Sequence, residues 1–186
     1  IVGVVEEDRA LHGDAIVPGD TLLAYASTGL HTNGYTLARR IVFERMGLGL
    51  NDRLGDTGAT VAEALLAVHR SYYRTINPVL GRMHGLAHIT GGGIAGNLVR
   101  ILPQDCVATV DPGTWELPPL FTTLQQAGQI STQEMRDVFN LGVGLVAVLP
   151  PDAVTAARAA AATDGVTTWV MGEIQRGSRS VRFARP

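Results

Sequence analysis

Thr21-Leu22-Leu23-Ala24-Tyr25-Ala26-Ser27 runs directly into Thr28-Gly29-Leu30-His31-Thr32-Asn33-Gly34-Tyr35. The first seven residues read as a β-strand, while the rest is too polar and glycine-rich for a core element. Beyond it, Leu37, Ile41, Val42 and Met46 fall on one helical face, with Asn33 placed to cap the start and Gly47 to end it. Strand, glycine-rich loop and helix in that order bring backbone N–H groups and hydroxyls to a helix N-terminus, a favourable place for an anion. Ser27, Gly29, Thr32, Asn33 and Gly34 are therefore candidate binding residues, with His31 beside them. The bland alternative is an ordinary capped loop.

Upstream, Ile1 to Val5 reads as a further strand, joined through the turn chemistry of Val17-Pro18-Gly19-Asp20. Downstream, Gly49 to Ala59 reads as a loop. Thr60-Val61-Ala62-Glu63 has the capping-box pattern, and Val61, Leu65, Val68, Tyr72 and Ile76 continue as one helical stripe to Pro78. Leu86 to Thr90 is a short strand candidate, and a short helix through Leu98, Ile101 and Leu102 stops at Pro103. Val107 to Val110 reads as a strand. Pro118 and Pro119 suit the first turn of a helix ending near Gly128, and Ser131 to Glu134 repeats the capping box. Leu141 to Leu149 reads as a buried strand, Asp152 to Thr163 as an alanine-rich helix and Thr167 to Ile174 as the last strand. Strands and helices mix throughout without repeat or linker, which predicts an α+β (mixed α/β) domain over residues 1–186, a mixed sheet covered by helices.

Between the short strand and its helix lies the second unusual segment, His88-Ile89-Thr90-Gly91-Gly92-Gly93. Three consecutive glycines cost conformational entropy, so the bare backbone must serve a close approach or a positive φ. A phosphate nest is one use; a tight packing turn is the other. Thr90, Gly91, Gly92 and Gly93 join the candidate binding residues, and His88 joins His31 as a candidate for chemistry. Gly91 to Gly96 also spells G-x-G-x-x-G, but the preceding strand is short and contains His88. Asp111 lies nearer ~15 than ~20 residues on, so the dinucleotide reading fails. His12, His69 and His84 show no metal-ligand spacing among themselves and are assigned to surface or packing, and no metal site is expected. Tyr25 stands where a nucleophile elbow around Ser27 would need its first glycine. Trp115 and Trp169 are expected to pack. Asn140, at the mouth of the buried strand, is a further binding candidate, with a plain turn residue as its alternative.

Composition narrows the functions further. Fifteen basic against seventeen acidic side chains give a net charge of −2, which excludes a broad footprint for nucleic acid or an anionic membrane. Every basic residue is an arginine, so a P-loop lysine and a Schiff-base lysine are both excluded within these residues. The lone Cys106 forms no internal disulfide and fits a reducing compartment, and a cytoplasmic location is expected. No apolar run approaches the ~20 residues of a membrane span. The acidic residues are scattered, with no D-x-D-type spacing beyond the short acidic start Glu6-Glu7-Asp8. The chain opens at Ile1 without an initiator Met and is read as a piece of a longer protein.

Four stretches taken in order resemble one family. Ala26 to Tyr35, His88 to Gly93, Trp115-Glu116-Leu117-Pro118-Pro119-Leu120-Phe121 and Phe139-Asn140-Leu141-Gly142-Val143-Gly144 look like the C-terminal domain of the aminoimidazole ribonucleotide synthetase (phosphoribosylformylglycinamidine cyclo-ligase) family. Gly3-Val4-Val5-Glu6 and Val170-Met171-Gly172-Glu173-Ile174 fit the same pattern, so the resemblance covers nearly the whole chain. Thiamine-monophosphate kinase, selenophosphate synthetase, formylglycinamidine ribonucleotide synthetase and a hydrogenase maturation factor share the family's two-domain plan. The resemblance implies ATP-dependent closure of the purine imidazole ring, converting formylglycinamidine ribonucleotide to aminoimidazole ribonucleotide. It implies ATP and Mg2+ held mainly by an N-terminal domain that these residues do not include, and a homodimer at full length. Alone, these residues are expected to be inactive. Two rival readings remain: a non-catalytic module that binds a phosphorylated metabolite, and the same domain of another ATP-dependent enzyme of the superfamily. Arg70-Ser71-Tyr72 resembles the family's arginine-x-tyrosine before Lys-Pro, but Asn77-Pro78 stands here. Thr28 and Thr32 replace serines common in the family and keep the hydroxyls.

Overall fold

Val143-Gly144-Leu145-Val146-Ala147-Val148-Leu149 is buried at every position, and a strand buried on both faces must lie inside a sheet rather than at its edge. The computed structural model, which describes residue 2 and residues 4–184, places it there. Six strands, β1 (Thr21–Ala26), β2 (Gly85–His88), β3 (Cys106–Val110), β4 (Val143–Leu149), β5 (Thr168–Arg176) and β6 (Ser180–Phe183), form one sheet in the order β2-β4-β1-β5-β3-β6. All neighbours are antiparallel except β3 and β6, so the sheet is mixed.

The period of two sorts the side chains. Leu22 and Ala24 of β1 join Val146 and Val148 of β4 on one face, under Ile94 and Leu98 of α4 (Gly93–Leu98). Leu23, Tyr25, Leu145, Ala147 and Leu149 face the other way, against Ile76 of α3 (Tyr73–Ile76) and Ala157 and Ala161 of α7 (Val154–Thr163). The alanines let α7 lie close on the sheet. A third cluster lies among helices: Ala38 of α1 (Tyr35–Arg39), Val61 and Leu65 of α2 (Val61–Leu65), Phe121 and Leu124 of α5 (Pro119–Gly128), and Met135 of α6 (Thr132–Val138). Phe121 and Phe139 meet edge to face there, 6.0 Å apart. The architecture is the expected α+β one, a mixed sheet with helices against it.

Several elements depart from the sequence reading. The stripe from Val61 to Ile76 is not one helix. It stops after Leu65 and resumes at Tyr73, and Val68 is 84% exposed. Tertiary hydrogen bonds hold the intervening chain out of helix: Thr28 Oγ1 donates to the Val68 carbonyl at 2.7 Å, and Tyr72 Oη to the Ala26 carbonyl at 2.8 Å. The first helix is capped by Gly34 in the left-handed region (φ 80°), and Asn33 donates instead to Thr32 Oγ1 at 3.3 Å. A Cβ on Gly34 would stand 2.6 Å from Cδ1 of Phe139, which fixes glycine there. The helix then widens to π geometry over Arg40–Arg45. Of the strand expected over Ile1 to Val5, the described residues Val2, Val4 and Val5 are exposed and outside any strand, while Ile1 and Gly3 lie outside the described residues. The strand expected from Leu141 begins at Val143, because Leu141 (φ 54°) and Gly142 (φ 92°) form the turn into it. The Thr60 capping box forms in full, and Ser131 Oγ accepts from the Glu134 N–H at 3.1 Å.

Candidate functional site

The two glycine-rich loops leave the sheet side by side, because β1 and β2 both pair with β4. They face each other at Asn33, whose Oδ1 lies 3.4 Å from where a Cβ on Gly91 would stand. Gly91 and Gly92 are exposed, and Gly92 adopts φ 92° with no side chain close by. Gly93 differs: a Cβ there would run into the Arg136 carbonyl and lie 3.3 Å from that of Phe139. Packing against the end of α6, together with a φ of 62°, thus explains Gly93, whereas exposed Gly92 supplies a positive φ without that packing.

Asn140 is 4% exposed and laces the first loop to the turn before β4. Its Oδ1 accepts from Ser27 Oγ (3.1 Å) and the Gly142 N–H (2.9 Å), and its Nδ2 donates to the Gly29 carbonyl (2.8 Å). Thr90 Oγ1 donates to Asn97 Oδ1 at 2.9 Å, and Asn97 Nδ2 donates to the carbonyls of Thr90, Gly91 and Gly93 at 3.2, 3.3 and 2.7 Å. Asn97 was not singled out from sequence, although a lone asparagine between Ile94 and Leu98 on a buried helix face was a readable sign. Thr32 and Gly34 sit at the helix entrance beside Asn33.

His31, 4% exposed, occupies the left-handed region (φ 57°), a strained position for a side chain of this size. Its Nε2 accepts from the Thr28 N–H at 3.1 Å, and its buried Nδ1 has no protein partner. Accepting through Nε2 fixes the proton of the neutral ring on Nδ1. Burial, then the nearby charges of His69, His88 and Arg70, lower its pKa to about 4. His88, more exposed, is lowered as well, by desolvation first and by the His69 charge second. Burial raises the phenol of Tyr72.

His69 is the correction that matters most for the site. Assigned to surface or packing, it stacks on His31 with ring centroids 3.9 Å apart, and its Nε2 lies 3.1 Å from Nε2 of His88. The break in the helix carries it there, so no sequence spacing announces it. His84, by contrast, pairs with buried Asp20 at 2.7 Å, in keeping with a packing role.

Along the other side of the first loop runs an open cleft of about 320 Å³, lined by Ser27, Thr28, Gly29, Glu63, Pro118 and Leu120. The Trp115–Phe121 stretch therefore borders the first loop, with Trp115 anchored through Nε1 to the Leu141 carbonyl at 3.0 Å and tilted against Trp169. Among the described residues, the one group of three metal-capable side chains is His31, His69 and His88. Nitrogen donors do not suit Mg2+, which takes carboxylates, phosphates and water. That cluster therefore does not fit Mg2+.

The family model described as "AIR synthase related protein, C-terminal domain" matches residues 17–184. The phosphoribosylformylglycinamidine cyclo-ligase of Sorangium cellulosum is 48% identical over 177 residues, covering 93% of this chain and 51% of its own. That of Trichlorobacter lovleyi is 43% identical over 181 residues, covering 96% and 52%. The chain thus spans about half the length of the curated relatives it matches. Among solved structures, thiamine-monophosphate kinase from Stenotrophomonas maltophilia shares the fold, with a TM-score of 0.65 at 15% identity over 96% of this chain and 54% of that one. With two glycine-rich loops meeting beside its sheet and a family match that runs nearly end to end, this chain belongs to the C-terminal domain family of the AIR synthase related proteins.

Proposed function

We propose that these residues form the substrate-holding domain of an ATP-dependent cyclo-ligase that closes the imidazole ring of a purine precursor, converting formylglycinamidine ribonucleotide to aminoimidazole ribonucleotide. The meeting of the Asn33 and Gly91 loops beside a histidine cluster carries this reading. The shared name of the cyclo-ligase relatives supports it over a non-catalytic module or another enzyme of the superfamily. In this reading ATP, its Mg2+ and most of a homodimer interface belong to an N-terminal domain matching the other half of those relatives, and the enzyme works in the cytoplasm.

The reaction needs an amide oxygen made into a leaving group, an internal nitrogen aligned with the same carbon, and removal of one proton from that nitrogen. ATP supplies the activating phosphoryl group when bound. The N–H groups of Gly91 and Gly92, with Thr32 and Asn33, offer donors to the substrate phosphate. Ser27, Gly29, Gly34, Thr90, Gly93 and Asn140 shape the loops; the Thr90 hydroxyl and the Asn140 amide are already engaged within the protein. His31, with its Nε2 occupied and its ring resisting protonation, holds the first loop and seats its neighbours rather than moving a proton. His88, coupled to His69, is the imidazole placed to take the proton.

Calorimetry with formylglycinamidine ribonucleotide, on this domain and on the full-length chain, tests the reading. Binding is expected in both and ring closure only in the full-length chain. A full-length chain that neither binds the ribonucleotide nor forms the imidazole overturns it.

A further inference from the structure

The His69–His88 pair has the geometry of a metal clamp, and we propose that its two Nε2 atoms bind a late first-row divalent cation of the zinc, nickel and copper class. The nitrogens are 3.1 Å apart. Two imidazoles on one tetrahedral ion, each with a bond of about 2.0–2.1 Å, hold their nitrogens about 3.3 Å apart, so the pair needs to open by only a fraction of an ångström. Their rings are tilted by 45° with centroids 5.1 Å apart, and each presents its Nε2 to the other. Imidazole suits zinc, copper and nickel, while Mg2+ and Ca2+ prefer oxygen.

The two ligands come from elements that the fold fixes separately. His88 ends β2, which is registered on β4 through His88 opposite Leu145. His69 lies between the Thr28–Val68 and Tyr72–Ala26 hydrogen bonds, which anchor its segment on both sides. His31 belongs to the same cluster but serves differently. Its ring lies nearly parallel to that of His69, at 16°, so lone pairs in the two ring planes do not converge, and its Nε2 already accepts from Thr28. It seats the His69 ring. A clamp of two protein ligands leaves two or more positions on the ion open to water or an oxyanion. A metal on the His88 Nε2 and proton uptake at that atom exclude each other, so the metal-bound form is not the one that takes the proton in the reaction proposed above; the inference is tested apart from that reaction because its probe is the metal alone.

Zn2+ titrated against a chromophoric chelator, with millimolar Mg2+ present to fill oxygen sites, tests this on the full chain. One site of about micromolar affinity is expected, weakened tenfold or more in both His69→Gln and His88→Gln and unchanged in His12→Gln. Cu2+ gives an independent readout: its electron paramagnetic resonance spectrum should show two equatorial imidazole nitrogens in the parent chain and one in each variant. Zn2+ binding no tighter than about 100 μM, binding that persists unweakened in both variants, or a Cu2+ spectrum without the nitrogen pair overturns the assignment and leaves a hydrogen-bonded imidazole pair.

Discussion

Ser27 and Asn140, 113 residues apart in the chain, are joined by a hydroxyl-to-amide hydrogen bond of 3.1 Å that ties the loop after β1 to the turn before β4. The same amide reaches the Gly29 carbonyl and the Gly142 N–H, so a single buried side chain sets the spacing of both segments. Asn140 thereby shapes the first loop from beneath.

Replacing it tests that role. Asn140→Ala removes three hydrogen bonds at a 4% exposed position and strands at least one buried backbone group. A loss of about 2–4 kcal/mol of stability is expected, measured by chemical denaturation. A loss below about 0.5 kcal/mol would mean that water replaces the amide and that the loop holds its shape unaided.

The triple glycine separates into a packing residue and a surface residue. Gly93→Ala drives a methyl group into the Arg136 carbonyl, so severe destabilisation or failure to fold is expected. Gly92→Ala makes only an ordinary contact with the Gly96 backbone and bears the cost of a positive φ, on the order of 1–2 kcal/mol. Melting temperatures of the two variants distinguish these outcomes. If the loop binds phosphate, Gly92→Val in the full-length chain should weaken the ribonucleotide about tenfold or more while the fold persists. Equal affinity in a folded Gly92→Val protein would leave this glycine a turn residue.

Stability should fall on the acid side of neutrality. The folded state lowers His31 to about 4 from an ordinary 6.5, through burial first and then the neighbouring His69, His88 and Arg70 charges. Between those values the unfolded chain binds a proton that the folded chain refuses. The stabilisation is therefore complete above pH 6.5 and is lost as the pH drops toward 4, by about 3 kcal/mol at most. His88, lowered in the same direction, adds to the slope. Denaturation followed from pH 7.5 to 4 should show the decline. His31→Asn tolerates the left-handed backbone and does not titrate, so it should flatten the curve. An unchanged slope in that variant would assign the effect to other groups.

Local chemistry determined much of this protein. The apolar run at β4, the strand at β1, the capping box at Thr60, the Ser131 cap and the two glycine-rich loops were all legible, because each depends on neighbours a few residues away. The ordered motifs were enough to point to the family. Tertiary structure decided what depends on distant partners. The break between α2 and α3 follows from hydrogen bonds of Thr28 and Tyr72 to carbonyls 40 and 46 residues away, which outweigh a helical stripe of only moderate local preference. The Asn140 and Asn97 braces, the packing reason for Gly93 and the arrival of His69 between His31 and His88 have the same origin. Spacing along a chain reports only contacts made within a turn or a strand pair, whereas this site is assembled by three segments that meet only once the sheet has formed.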